Sequence, residues 1–96
     1  MPIYIFARFN AKPGCTPKLV AALQEIVVPT RAEPGCAGMN VFRSLDDPAV
    51  FFIHSHWKGQ ADIESHVQTE HMKSFFAKTA DLLTEDAPPS RTSRIA

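Results

Sequence analysis

Residues 3–9, IYIFARF, alternate with a period of two and read as a strand whose two faces differ. Ile3, Ile5, Ala7 and Phe9 make one face wholly apolar, whereas Tyr4, Phe6 and Arg8 make the other mixed. A strand covered alike on both sides would lack that asymmetry. The chain must therefore build a sheet with helices against the first face and something wetter, such as a partner subunit, against the second.

The rest of the chain supplies the matching parts. Lys12, Pro13 and Gly14 form a loop, and Thr16 followed by Pro17 reads as an N-cap with proline at the first helical position. Leu19, Val20, Leu23, Ile26 and Val27 recur at helical spacing, which predicts a helix of about 14 residues that Pro29 should end or kink. Glu33, Pro34 and Gly35 are turn chemistry before a second strand over 38–44. Asp46, Asp47 and Pro48 turn the chain back into a third strand over 50–57, forming a hairpin. A helical region over 60–83 follows, broken at Gln68–Thr69, where Thr69 caps its second half. Phe75, Phe76, Ala80, Leu82 and Leu83 supply its apolar surface; Ala87, Pro88 and Pro89 end it, and 91–95 reads as a short edge strand. The order βαββαβ, without repeat or linker, gives one α+β domain over residues 1–96. It is ferredoxin-like, with a four-stranded antiparallel sheet and both helices on one side.

Composition narrows the function classes. Ten basic residues balance ten acidic ones, so nothing attracts nucleic acid or an anionic membrane over a long range. No apolar run approaches the roughly 20 residues of a membrane-spanning helix. The N-terminus lacks a basic region and a cleavage site, which predicts a cytoplasmic protein. Cys15 and Cys36 have neither metal-type spacing nor a clear histidine partner and read as cytosolic thiols. There is no glycine-rich phosphate loop, dinucleotide fingerprint or serine elbow, so no flavin, nicotinamide or other cofactor is expected.

Parity on the third strand sorts the remaining candidates. Phe51, Ile53, Ser55 and Trp57 share one face; Phe52, His54 and His56 share the other. Trp57 then lines the space between sheet and helices. Tyr4, Phe6 and Phe52 leave an aromatic face that two copies would cover by packing together, giving a homodimer through the open sheet face. His54 and His56 lie about 7 Å apart along the strand, a spacing that suits a shared metal, but no third ligand is evident and no metal is expected. His66 and His71 are five residues apart, which a continuous helix would place about 140° from each other. Only the break at Gln68–Thr69 lets them converge. In the first turn of the second half-helix, His71 meets the positive end of the helix dipole, which favours a neutral ring usable as a base. A pocket beside Trp57 with these histidines at its rim suits a flat, apolar guest needing one or two polar contacts.

The segments PTRAEPGC (29–36) and VFRSLDDP (41–48), Trp57 at the strand end, and Thr69-x-His71 with Phe75 at the helix start resemble, in order and spacing, the antibiotic biosynthesis monooxygenase family. The resemblance covers nearly the whole chain. It implies a dimeric α/β barrel and a cofactor-independent monooxygenase acting on a quinol or similar small aromatic or enolic substrate, with molecular oxygen as the second reactant. A base removes a phenolic or enolic proton, and the substrate anion itself reduces oxygen. His71, matching the family's helix-start histidine, would be the base or orienting residue, and His66 would assist. Trp57 would bound the aromatic slot; Ser55, on the same strand face, and Phe75 complete the expected substrate-binding set. A haem-degrading branch has an asparagine where this chain has Ala7 and a ligating histidine where it has Phe76, so haem degradation is not expected. A further branch, isomerases or processors of phosphorylated signalling sugars, also carries a histidine at the His71 position, and other members of the fold bind small molecules without catalysis.

Overall fold

The computed structural model describes residues 1–86 and 88–96. Strand β1 (Ile3–Asn10) leads through helix α1 (Thr16–Arg31) to β2 (Cys36–Arg43) and β3 (Val50–Trp57). Helices α2 (Gln60–Val67) and α3 (Glu70–Thr79) follow, and β4 (Ser90–Thr92) closes the order. The four strands pair antiparallel in the order β2-β3-β1-β4. β1 pairs with β3 along its whole length, from Ile3 opposite Trp57 to Asn10 opposite Val50. This is the ferredoxin-like α+β arrangement that the alternating strands predict.

Burial follows the parity of the strands. Phe51, Ile53, Ser55 and Trp57 are buried beneath the helices, while Phe6, Phe42 and Phe52 are 52%, 51% and 40% exposed on the opposite face. Tyr4 stacks on His56 with ring centroids 4.1 Å apart, and Phe6 lies 4.8 Å from His54. The two strand histidines thus pack against aromatic neighbours on the open face. The main core joins Leu19, Leu23 and Ile26 of α1 to Met39, Phe51 and Ile53 of the sheet and to Met72 and Phe75 of α3. A second cluster, Ile5, Trp57 and Ile63, packs α2 against the end of β3.

Several boundaries differ from expectation. Cys15, not Thr16, is the N-cap of α1, and its side chain makes no capping bond. Helix α1 also continues through Pro29 to Arg31. Proline there forfeits one helical hydrogen bond, but tertiary anchors hold the last turn. Thr30 is fully buried, and Arg31 donates from Nε to the Met39 carbonyl at 3.0 Å and from Nη2 to Asn40 Oδ1 at 3.2 Å. β2 starts two residues early, with an irregularity between Cys36 and Gly38. α3 stops at Thr79 rather than Leu83, and β4 occupies 90–92 rather than 91–95. Of the expected terminator, Ala87 lies outside the described residues. No helix among the described residues is long and apolar enough to cross a membrane.

The helix break is built as its sequence predicts. Thr69 adopts an extended backbone and accepts from the Met72 amide at 3.4 Å; its hydroxyl donates to the His66 carbonyl at 2.7 Å. One side chain therefore caps α3 and serves a carbonyl at the end of α2. Thr69→Ala should lower stability by about 1–2 kcal/mol in urea unfolding, and Thr69→Ser should recover most of the loss.

Candidate active site

Between the sheet and the helices lies a cavity of about 690 Å³, within the range of small-molecule sites. Ile5, Ala7, Ile53, Ser55 and Trp57 form its sheet wall, and Ile63, His66, Met72, Phe75 and Phe76 its helical wall. Arg8, Glu85 and Asp86 stand at one end, where Arg8 Nη1 and Glu85 Oε1 pair at 3.2 Å. Both partners are half-exposed, so that pair contributes little to stability.

Trp57 is 1% exposed, and its Nε1–H donates to Ser55 Oγ at 2.9 Å. The serine oxygen satisfies the indole, and the serine's own O–H proton is left to donate elsewhere. His66 packs against Trp57, with ring centroids 4.5 Å apart and a 44° tilt.

His66 and His71 converge on a residue that sequence reasoning took for part of a turn. Glu33 Oε2 lies 2.7 Å from His66 Nδ1 and 2.8 Å from His71 Nε2, and the ring centroids are 6.0 Å apart. Thr69 Oγ1 approaches the same nitrogen of His71 at 3.3 Å. An ionised carboxylate only accepts, so both facing nitrogens act as donors. The neutral tautomer of His66 then carries its proton on Nδ1 and presents an unprotonated Nε2. Glu33 and the two rings are largely buried, with side chains 13%, 9% and 22% exposed.

The expected residues therefore divide. Trp57, Ser55, Phe75 and His66 all line the cavity. His71 does not; it stands behind His66, joined to it through Glu33. Sheet pairing offered the missing signal: Cys36 faces Trp57 across β2 and β3, which brings the turn just before Cys36 to the same end of the sheet as the tryptophan.

Glycine makes that approach possible. A Cβ on Gly35 would run into the Asp62 side chain of α2, so a larger residue there must push the Glu33 turn and α2 apart. The Lys58 amide also donates to the Gly35 carbonyl at 3.0 Å. Cys15 and Cys36 are free thiols. Burial pushes the Cys36 thiol up from its ordinary range, and nearby Glu33 adds to the shift against the Gly38 amide and Arg31. Such a thiol is a poor nucleophile at neutral pH.

A profile of the antibiotic biosynthesis monooxygenase family matches residues 2–78. The chain belongs to that family. It is 29% identical over 90 residues to YcnE of Bacillus subtilis, a provisionally assigned monooxygenase, covering 94% of this chain and 95% of that one. It is 28% identical over 86 residues to the uncharacterized protein sll1783 of Synechocystis, covering 90% of this chain but only 58% of that longer relative. The structure of Rv0793 from Mycobacterium tuberculosis superposes with a TM-score of 0.94 at 24% identity, covering 100% of this chain and 97% of that one. That likeness establishes the fold.

Gly35→Ala should cost about 1–3 kcal/mol in urea unfolding, the usual range for overpacking a tight contact. The cavity-lining Val67→Ala, at a position already 39% exposed, should stay within about 0.5 kcal/mol of the parent.

Proposed function

We propose that the chain oxidises a small phenolic or enolic substrate, a quinol or similar aromatic, in the cavity between sheet and helices, with oxygen as the second reactant. The supporting observation is His66: its Nδ1 is held by Glu33, while its ring forms part of a cavity wall otherwise dominated by Trp57 and apolar side chains. In this reading His66 Nε2 takes the phenolic proton, and the Ser55 hydroxyl donates to the substrate oxygen. Trp57 and Phe75 bound the flat ring. The resulting anion is the electron donor. For a 1,4-quinol with a free ring carbon beside a hydroxyl, one oxygen atom ends on that carbon as the hydroxyl of a hydroxyquinone and the other leaves as water, so the substrate supplies all four electrons.

His71 is a positioning residue in this scheme. Through Glu33 it fixes the orientation and tautomer of His66 without touching the substrate. Sequence reasoning made His71 the base or orienting group with His66 assisting; the proposed roles give the proton transfer to His66.

Oxygen uptake with a reduced naphthoquinol, corrected for spontaneous oxidation, tests this. His66→Ala should lower turnover by about 100-fold or more, as expected for loss of a general base. His71→Ala should lower kcat by about tenfold with KM unchanged. His71→Gln, which can place an N–H near Glu33 again, should recover most of that loss. Full turnover in His66→Ala would remove the proposed base.

The same reading includes a homodimer through the open face of the sheet, supported by the exposed rings of Phe6, Phe42 and Phe52 beside Tyr4. Contiguous aromatic surface of this kind favours association. Phe52→Lys should shift the species seen in sedimentation velocity from dimer to monomer. A wild-type chain that sediments as a monomer would overturn this part of the reading.

A further inference from the structure

The grouping of Glu33, His66 and His71 exceeds what orienting one imidazole requires. Its three donor atoms come from three segments: the turn before β2, the last turn of α2 and the first turn of α3. Glu33 Oε2, His66 Nδ1 and His71 Nε2 all lie within 4.8 Å of one another. The helical region is interrupted at Thr69, which lets residues 66 and 71 approach one point that a straight helix would deny them.

We propose that Glu33, His66 and His71 form a binding site for one late first-row divalent transition ion, of which zinc is the representative. Two imidazoles suit zinc, copper, iron and nickel, and one carboxylate lowers the ion's net charge in a largely buried setting. Three protein ligands with a remaining open position match sites that also take an exogenous ligand. Ligand bonds of about 2.0–2.2 Å at tetrahedral angles set neighbouring ligand atoms about 3.3–3.6 Å apart. The oxygen–nitrogen separations are 2.7 and 2.8 Å and all three donor atoms lie within 4.8 Å of one another, so the ion seats once Glu33 Oε2 yields the position between the rings and the two imidazoles draw together by about 1 Å. His71, 22% exposed, leaves a path from solvent.

Binding would change what His66 presents to the cavity. A metal on Nδ1 uses that nitrogen's lone pair, so the neutral ring carries its proton on Nε2. The acceptor on the cavity wall becomes a donor, and no oxidant or reductant is involved. The ion and a proton abstraction by Nε2 therefore exclude each other, which would make metal occupancy a brake on the proposed oxidation.

The test uses full-length protein without a polyhistidine tag, freed of metal by chelation and dialysis. Zn(II) titration calorimetry should show one ion per chain. His71→Ala and Glu33→Gln should each weaken binding by at least about tenfold, while a His54→Ala/His56→Ala variant should bind as the parent does. Circular dichroism of the metal-free variants identifies any that fail to fold. Independently of variants, Co(II) added to the wild-type chain should broaden the imidazole proton resonances of His66 and His71 and spare those of His54 and His56. Absence of saturable one-to-one binding, equal affinity in folded His71→Ala, or broadening centred on His54 and His56 would overturn the proposal.

Discussion

One carboxylate oxygen holds the functional end of the molecule together. Glu33 Oε2 accepts from imidazoles on two successive helices, so the turn leaving α1, the end of α2 and the start of α3 meet at one atom. Charge-assisted contacts of this kind are short and strong, and removing one partner leaves the others buried without compensation. Gly35 approaches Asp62 closely and Cys36 packs against the cluster of Ile5, Trp57 and Ile63, which brings the same turn against α2. The orientation of His66 against Trp57 therefore depends on a residue outside the cavity wall.

The hollow itself follows from side-chain size and helix placement. Ala7 and Ser55 put small groups on the sheet face beneath the helices, and the broken helical region does not close over them. A continuous helix from Gln60 onward would have sent residues 66 and 71 to different sides and removed the need for Thr69. Instead Thr69 spends its hydroxyl on both sides of the interruption, accepting from one helix and donating to the other. Structure and chemistry share that break: the same bend that separates α2 from α3 brings the two rings to Glu33.

Much of this was legible in the residues. Strict alternation in 3–9 and 50–57 located the sheet faces, and Trp57 followed from parity alone. The helix break was readable because Thr69 is an N-cap type followed by an acidic first turn. Failures occurred where tertiary contacts overrode local preference. Pro29 did not end α1, because buried Thr30 and the Arg31 bonds to β2 secure the final turn. Glu33 was hidden by its neighbours: a carboxylate beside Pro34 and Gly35 looks like any turn residue until the pairing of β2 with β3 brings its turn to the Trp57 end of the sheet. Local pattern also could not show that His71 stands off the cavity while His66 lines it, since both depend on the angle between two short helices.

Trp57 is the single tryptophan of the chain, and on the cavity wall it bonds to Ser55 and packs against His66. The molecule consequently carries a built-in optical probe at the place where a guest would rest. Indole emission depends on its hydrogen bond, on local polarity and on quenching by a neighbouring imidazole, all three of which are fixed here by named side chains. Ligand screening can thus be read from the unlabelled chain by its own light.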